Sequence, residues 1–167
     1  AKTVALPLAI FVGILVLVAG GYGLFVSMRE QIRLKKCINA GQYNEPIYKH
    51  FNTLSALLRK KFTTNKPLQR VYPDYPDNPL PDELCKLIDL YETYKRLPKQ
   101  DRKRLNASDL SRLEKLTPAE SPHAQEFERF VHLTERGLYS QKGLTSAEYE
   151  EYVLLMKSLH ELIRKQP

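Results

Sequence analysis

The chain has 167 residues, a formal net charge of +7, seven glycines and two cysteines. About 140 residues lie outside its longest apolar run, enough for one modest hydrophobic core. Four glycines fall inside that run, leaving Gly41, Gly137 and Gly143; no P-loop, G-x-G-x-x-G or G-x-S-x-G occurs, which excludes phosphate-cradling glycine loops.

Residues Thr3 to Met28 form an uncharged run of 26 residues. A hydrocarbon core about 30 Å thick needs roughly 20 apolar residues in helix, so the run predicts a membrane span. It exceeds the about 7–15 apolar residues of a signal peptide. It also continues through Leu24, Phe25 and Val26, past the only plausible cleavage point at Val18-Ala19-Gly20. A retained anchor is expected. Pro7 sits in its first turns, where a missing N–H is tolerated.

At 100° per residue, Ala5, Ala9, Gly13, Ala19, Gly20, Gly23 and Ser27 fall within an arc of about 120°, with Gly21 outside it. Phe11, Ile14, Val18, Tyr22, Leu24 and Phe25 occupy the other side. Small residues on one stripe let a second helix approach closely in lipid, so Ala5, Ala9, Gly13, Gly20, Gly23 and Ser27 are expected to form a helix-packing face. No ionisable residue lies within the span, which argues against an ion path.

Before the run stands Lys2; after it come Arg29, Arg33, Lys35 and Lys36, offset by Glu30. The positive-inside rule then places the C-terminal part on the cytoplasmic, matrix or stromal side of a bacterial or organellar inner membrane, with the N-terminus outside. The low cysteine count agrees. Asn106-Ala107-Ser108, a formal glycosylation sequon, is read as chance. Residues 29–70 carry ten Lys or Arg against two acids, a balance of +8. Anionic lipid headgroups attract such juxtamembrane cations by about 1 kcal/mol each, so Arg29, Arg33, Lys35 and Lys36 are assigned to headgroup contact. Nucleic acid is not the expected partner. Its best candidates, Arg59-Lys60-Lys61 with Phe62 and the run Lys99 to Arg104, read better as a helix end and a solvated face.

The expected organisation is a span with a basic extension over 1–40, an amphipathic basic helix over 41–66, a proline-rich strap over 67–81 and a helical domain over 82–167. Gly41 suits a C-terminal cap. From Asn44 the positions Ile47, Phe51, Leu54 and Leu58 recur at steps of four, three and four, one face of a helix. Its other face is basic, a pattern that suits a helix lying on the membrane surface or against a partner. Five prolines between Pro67 and Pro81 exclude helix there and favour extended chain. Tyr72 and Tyr75, in an almost doubled Tyr-Pro-Asp unit, are expected either to dock on a neighbouring subunit or to lie over the protein's own helices.

From Asp82 the spacing is helical through Leu84, Leu87, Ile88, Tyr91 and Tyr94. A short basic helix after Pro98 and another from Ser108 follow. Thr117-Pro118-Ala119-Glu120 predicts a capped helix start, interrupted by Pro122, and Ser121-Pro122 a restart with Phe127, Phe130, Val131, Thr134 and Leu138 inward. Thr145-Ser146-Ala147-Glu148 opens the last helix, with Tyr149, Tyr152, Val153, Met156, Leu159, His160 and Ile163 on one stripe. No strand alternation appears. The expected fold class is all-α.

Catalytic chemistry is not announced. His50, His123, His132 and His160 show no metal-ligand spacing, and Cys37 and Cys85 form no C-x-x-C. Pairs such as Glu126/Glu128 read as solvated. No cofactor, metal or enzymatic activity is expected. The stripe, the basic segment and the strap together suggest a non-catalytic accessory or assembly subunit of a larger membrane complex. The alternative is a membrane-tethered adaptor that recruits a soluble partner through its helical domain.

Overall fold

A computed structural model of the chain describes residues 2–166, with side chains described from Pro7 onward. Among the described residues the fold is all-helical. It divides into two units, Ala1–Gln42 and Tyr43–Pro167.

The first unit is one helix, α1, Lys2–Asn39. At 1.5 Å per residue it is about 57 Å long, and its segment Pro7–Asn39 is long and apolar enough to cross a membrane. Its end follows the expected chemistry. Gly41 adopts φ +71, and its N–H donates to Ile38 O at 3.0 Å while Gln42 N–H donates to Cys37 O at 2.8 Å. A residue with a Cβ resists that left-handed turn, so glycine closes the helix.

The second unit contains α2 (Asn44–Thr64), α3 (Lys66–Val71), α4 (Pro81–Arg96), α5 (Lys99–Arg104), a 3₁₀ turn (Ala107–Asp109), α6 (Leu110–Leu116), α7 (Ala124–Tyr139) and α8 (Ser146–Arg164). Helices α2, α4, α7 and α8 pack on one another, while the short α3, α5 and α6 flank them. Ile47, Leu54 and Leu58 of α2, Leu84 and Ile88 of α4, Phe130 and Leu133 of α7, and Tyr152 and Leu159 of α8 have no exposed surface. Each fully buried aliphatic side chain contributes about 1.5–3 kcal/mol relative to exposure. The apolar face of α2 is therefore closed by its own unit rather than left for a membrane surface.

The last two helices are tied by ions as well as by packing. Arg129 donates to both carboxylate oxygens of Glu151, each at 2.8 Å, and Arg136 Nη1 reaches Glu148 Oε1 at 2.6 Å. Thr145 and Glu148 form a complete capping box: Glu148 N–H donates to Thr145 Oγ1 at 3.2 Å, and Thr145 N–H to Glu148 Oε2 at 2.8 Å. At the far end, Lys95 of α4 donates to the carbonyls of Leu162 (2.5 Å) and Lys165 (3.2 Å), satisfying acceptors that the end of α8 leaves open. Its ammonium also pairs with Glu92, and the Lys95 side chain keeps only 8% exposure.

Three expectations are corrected. Pro67 lies inside α3, because proline in a first turn loses no intrahelical bond and Asn65 Oδ1 caps the helix by accepting from Leu68 N–H at 3.3 Å. The extended strap is thus confined to 72–80. Thr117 opens no helix; its N–H donates to Leu113 O at 3.0 Å and its hydroxyl to the same carbonyl at 2.8 Å, so it closes α6. Pro122, lacking an N–H, would also break the second turn of any helix begun at Thr117. On α7 the inward set includes Leu133 and Gly137, while Val131 and Leu138 are half-buried.

Gly137 marks a close approach of α2 to α7. A Cβ built there would stand 2.2 Å from Ile47 Cδ1. Gly137→Ala is expected to destabilise by about 1–3 kcal/mol despite its better helix propensity. Ile47→Val removes that terminal methyl, so the double variant should be more stable than the sum of the two single effects predicts, by about 1 kcal/mol or more. Denaturant unfolding of the four proteins measures the coupling, and strict additivity would show that the two helices are not in contact there.

Candidate functional site

Glycines 13, 20 and 23 of α1 are fully open: an added Cβ at any of them would meet no atom within 4 Å. Ala9 and Ser27 are exposed too, and Ala5 lies outside the residues whose side chains are described. Arg29, Arg33, Lys35 and Lys36 are exposed on the same continuous helix, with Arg29, Arg33 and Lys36 within about 60° of one another at 100° per residue.

The strap is laid over the unit's own helices. The Phe62 ring of α2 takes Tyr72 edge-on at 5.7 Å, Tyr75 at 5.1 Å and Tyr91 of α4 at 6.1 Å between centroids. Arg59 of α2 pairs with Asp77. Tyr72 and Tyr75 are half-buried, and the Tyr75 hydroxyl is buried without a hydrogen-bond partner among the described residues. Burial, the largest influence, pushes that phenol well above its ordinary range. Phe62 itself is 1% exposed, so the base-stacking platform that Arg59-Lys60-Lys61 would need is not formed.

Two clusters escaped the sequence reading. Asp89, Ser121 and His123 come together where α4 meets the start of α7. Ser121 donates to Asp89 Oδ1 at 2.8 Å, and its oxygen accepts from His123 N–H at 3.1 Å. Burial holds the Asp89 carboxyl above its usual range, opposed by the Ser121 hydrogen bond. With its hydroxyl on the carboxylate and its oxygen on a backbone N–H, Ser121 orders the entry to α7. The second cluster is a groove of about 410 Å³ with no charged residue in its walls. Tyr48, Leu80 and Tyr139 stand around it at 60%, 57% and 75% exposure. Only the three-dimensional arrangement joins the strap to α2 and α7, so no linear spacing signals this surface.

His50 of α2 lies 3.3 Å from the Tyr149 hydroxyl of α8, whose ring stacks on Tyr43 at 4.5 Å. Burial first, then the charges of His160 and Lys49, lower the pKa of His50; burial, then Arg164, lowers that of His160. Cys37 and Cys85 are free thiols, and burial raises Cys85 to about 12, which makes it inert. No group of three or more His, Cys, Asp or Glu side chains suited to a metal ion forms among the described residues. Comparison with protein-family models, with curated proteins and with solved structures gives no match.

Two outcomes follow from this geometry. Tyr75→Phe keeps the ring contact and removes the orphaned hydroxyl, so stability is expected to hold or rise by up to about 1 kcal/mol, whereas Tyr75→Ala should lose about 1–3 kcal/mol. Equilibrium denaturation separates the pair; a large loss in Tyr75→Phe would mean that the hydroxyl has a partner. The two histidines bind a proton less readily folded than unfolded. Their contribution to stability is complete above the ordinary imidazole value near 6.5 and falls as pH drops below it. The melting temperature should decline between about pH 7 and pH 5, and His50→Gln/His160→Gln should flatten that decline.

Proposed function

We propose that the chain is a non-catalytic accessory or assembly subunit of a larger integral membrane protein complex, held by α1 as a single span. The observation that carries this reading is the glycine row. Glycine costs a helix interior roughly 1 kcal/mol relative to alanine, yet Gly13, Gly20 and Gly23 relieve no crowding within the chain. Small residues on one side of an uncharged helix suit a second helix in lipid, where close backbone approach drives association. The cations after the span fit the anionic headgroups of the cytoplasmic, matrix or stromal leaflet of a bacterial or organellar inner membrane, with the N-terminus outside.

A second reading, a tethered adaptor for a soluble partner, draws on the helical unit. Its core is closed from within, and its tyrosine strap is engaged with Phe62, so no neighbour is needed to complete it. The uncharged groove beside Tyr48, Leu80 and Tyr139 supplies exposed aromatic surface, of the composition enriched at protein contacts.

The discriminating measurement is native mass after extraction in mild detergent, with co-migrating chains identified. A stable assembly of several hundred kilodaltons, lost in Gly13→Leu/Gly20→Leu/Gly23→Leu, is the outcome expected of the subunit. Migration as a monomer or small oligomer sinks that reading and leaves the adaptor.

A further inference from the structure

We infer that the helical unit carries a phosphate-binding site, built where α3, α4 and α5 meet and separate from the basic end of α1. A surface concavity of about 350 Å³ is lined there by Pro67, Tyr94, Lys99, Arg102, Lys103 and Gln166, three of them cations and none an acid. Lys99, Arg102 and Lys103 stand at i, i+3 and i+4, one face of the six-residue helix α5. Like charges at those spacings destabilise a helix, and the one acid of α5, Asp101, is not among the residues that line the concavity. No ion pair or side-chain hydrogen bond engages these three cations among the described residues. The Nε of Arg102 is buried without a partner, which is unusual for a group that is costly to leave unsatisfied.

The floor of the site is fixed from several directions. The Tyr94 hydroxyl donates to Asn65 Oδ1 at 3.0 Å, tying α4 to the capped start of α3. The Arg102 guanidinium lies over the Tyr94 ring, 5.9 Å from its centroid, and that contact orients it. From α3, Arg70 Nη2 donates to Lys103 O at 3.1 Å, which holds the end of α5. A planar guanidinium flanked by two ammonium groups suits a tetrahedral dianion better than a single carboxylate. Tyr94 is 5% exposed and offers no face to a nucleobase, so the ligand is read by its phosphate. Inorganic phosphate and a phosphomonoester lipid headgroup share that chemistry.

The test is calorimetric titration of inorganic phosphate into the full chain in phosphatidylcholine nanodiscs, at ionic strength matched with chloride. Lys99→Gln/Lys103→Gln should weaken binding at least tenfold, and Arg102→Lys at least threefold, with melting temperatures in chloride unchanged within about 2 °C. Lys60→Gln/Lys61→Gln, which removes two cations from α2, should stay within twofold of the parent. Absence of phosphate binding, or equal losses in the two lysine pairs, overturns the site. Nanodiscs that include phosphatidic acid distinguish the sources. Competition with inorganic phosphate that is lost in Lys99→Gln/Lys103→Gln assigns a lipid headgroup; no competition assigns free phosphate.

Discussion

The approach of α2 to α7 at Gly137 sets the geometry of the helical unit. With Ile47 occupying the space a side chain would need, the two helices come close enough for Leu54, Leu58 and Phe62 to reach the same interior as Tyr152 and Leu159. Cores of this kind tolerate little volume change, and the remaining helices are fitted around that contact. One consequence bears on function. The unit buries the main apolar faces of its own helices, and what it offers outward is polar, aromatic or charged apart from single aliphatic residues such as Leu80, Leu116 and Leu154.

Those surfaces differ in chemistry along the chain. The apolar part of α1 has open small residues and no charge; the turns after it are cationic; the helical unit adds a charge-free groove and a separate cationic hollow. Under the proposed function each surface would answer to a different force: packing in hydrocarbon, screened attraction at headgroups, or contact in water.

Much of the fold was legible because local rules agreed with tertiary ones. The box at Thr145 and Glu148, the turn at Gly41, and the recurrence of Ile47, Leu54 and Leu58 each needed only neighbours in sequence. The failures share a cause. In sequence Pro67 resembles a helix breaker although a first turn accepts it, and the Thr117 box resembles a start although its hydroxyl serves the helix behind it. At Thr117 the hydroxyl that donates to Leu113 O also meets Thr93 Oγ1 at 3.0 Å, from 24 residues away. The candidate sites were hidden more deeply. Span, stripe and basic turns are linear features, whereas Tyr48 meets Leu80 and Tyr139, and Arg70 meets Lys103, only after folding.

The ammonium of Lys95 stands apart from the other amines of the chain. Held by Glu92 and the last carbonyls of α8, it is withdrawn from water while surface lysines such as Lys60, Lys86 and Lys157 are exposed. An acylating reagent therefore reaches it only when the end of α8 lifts away. Its labelling rate relative to those surface lysines is a clock for that motion, and it needs no probe beyond the chain's own chemistry.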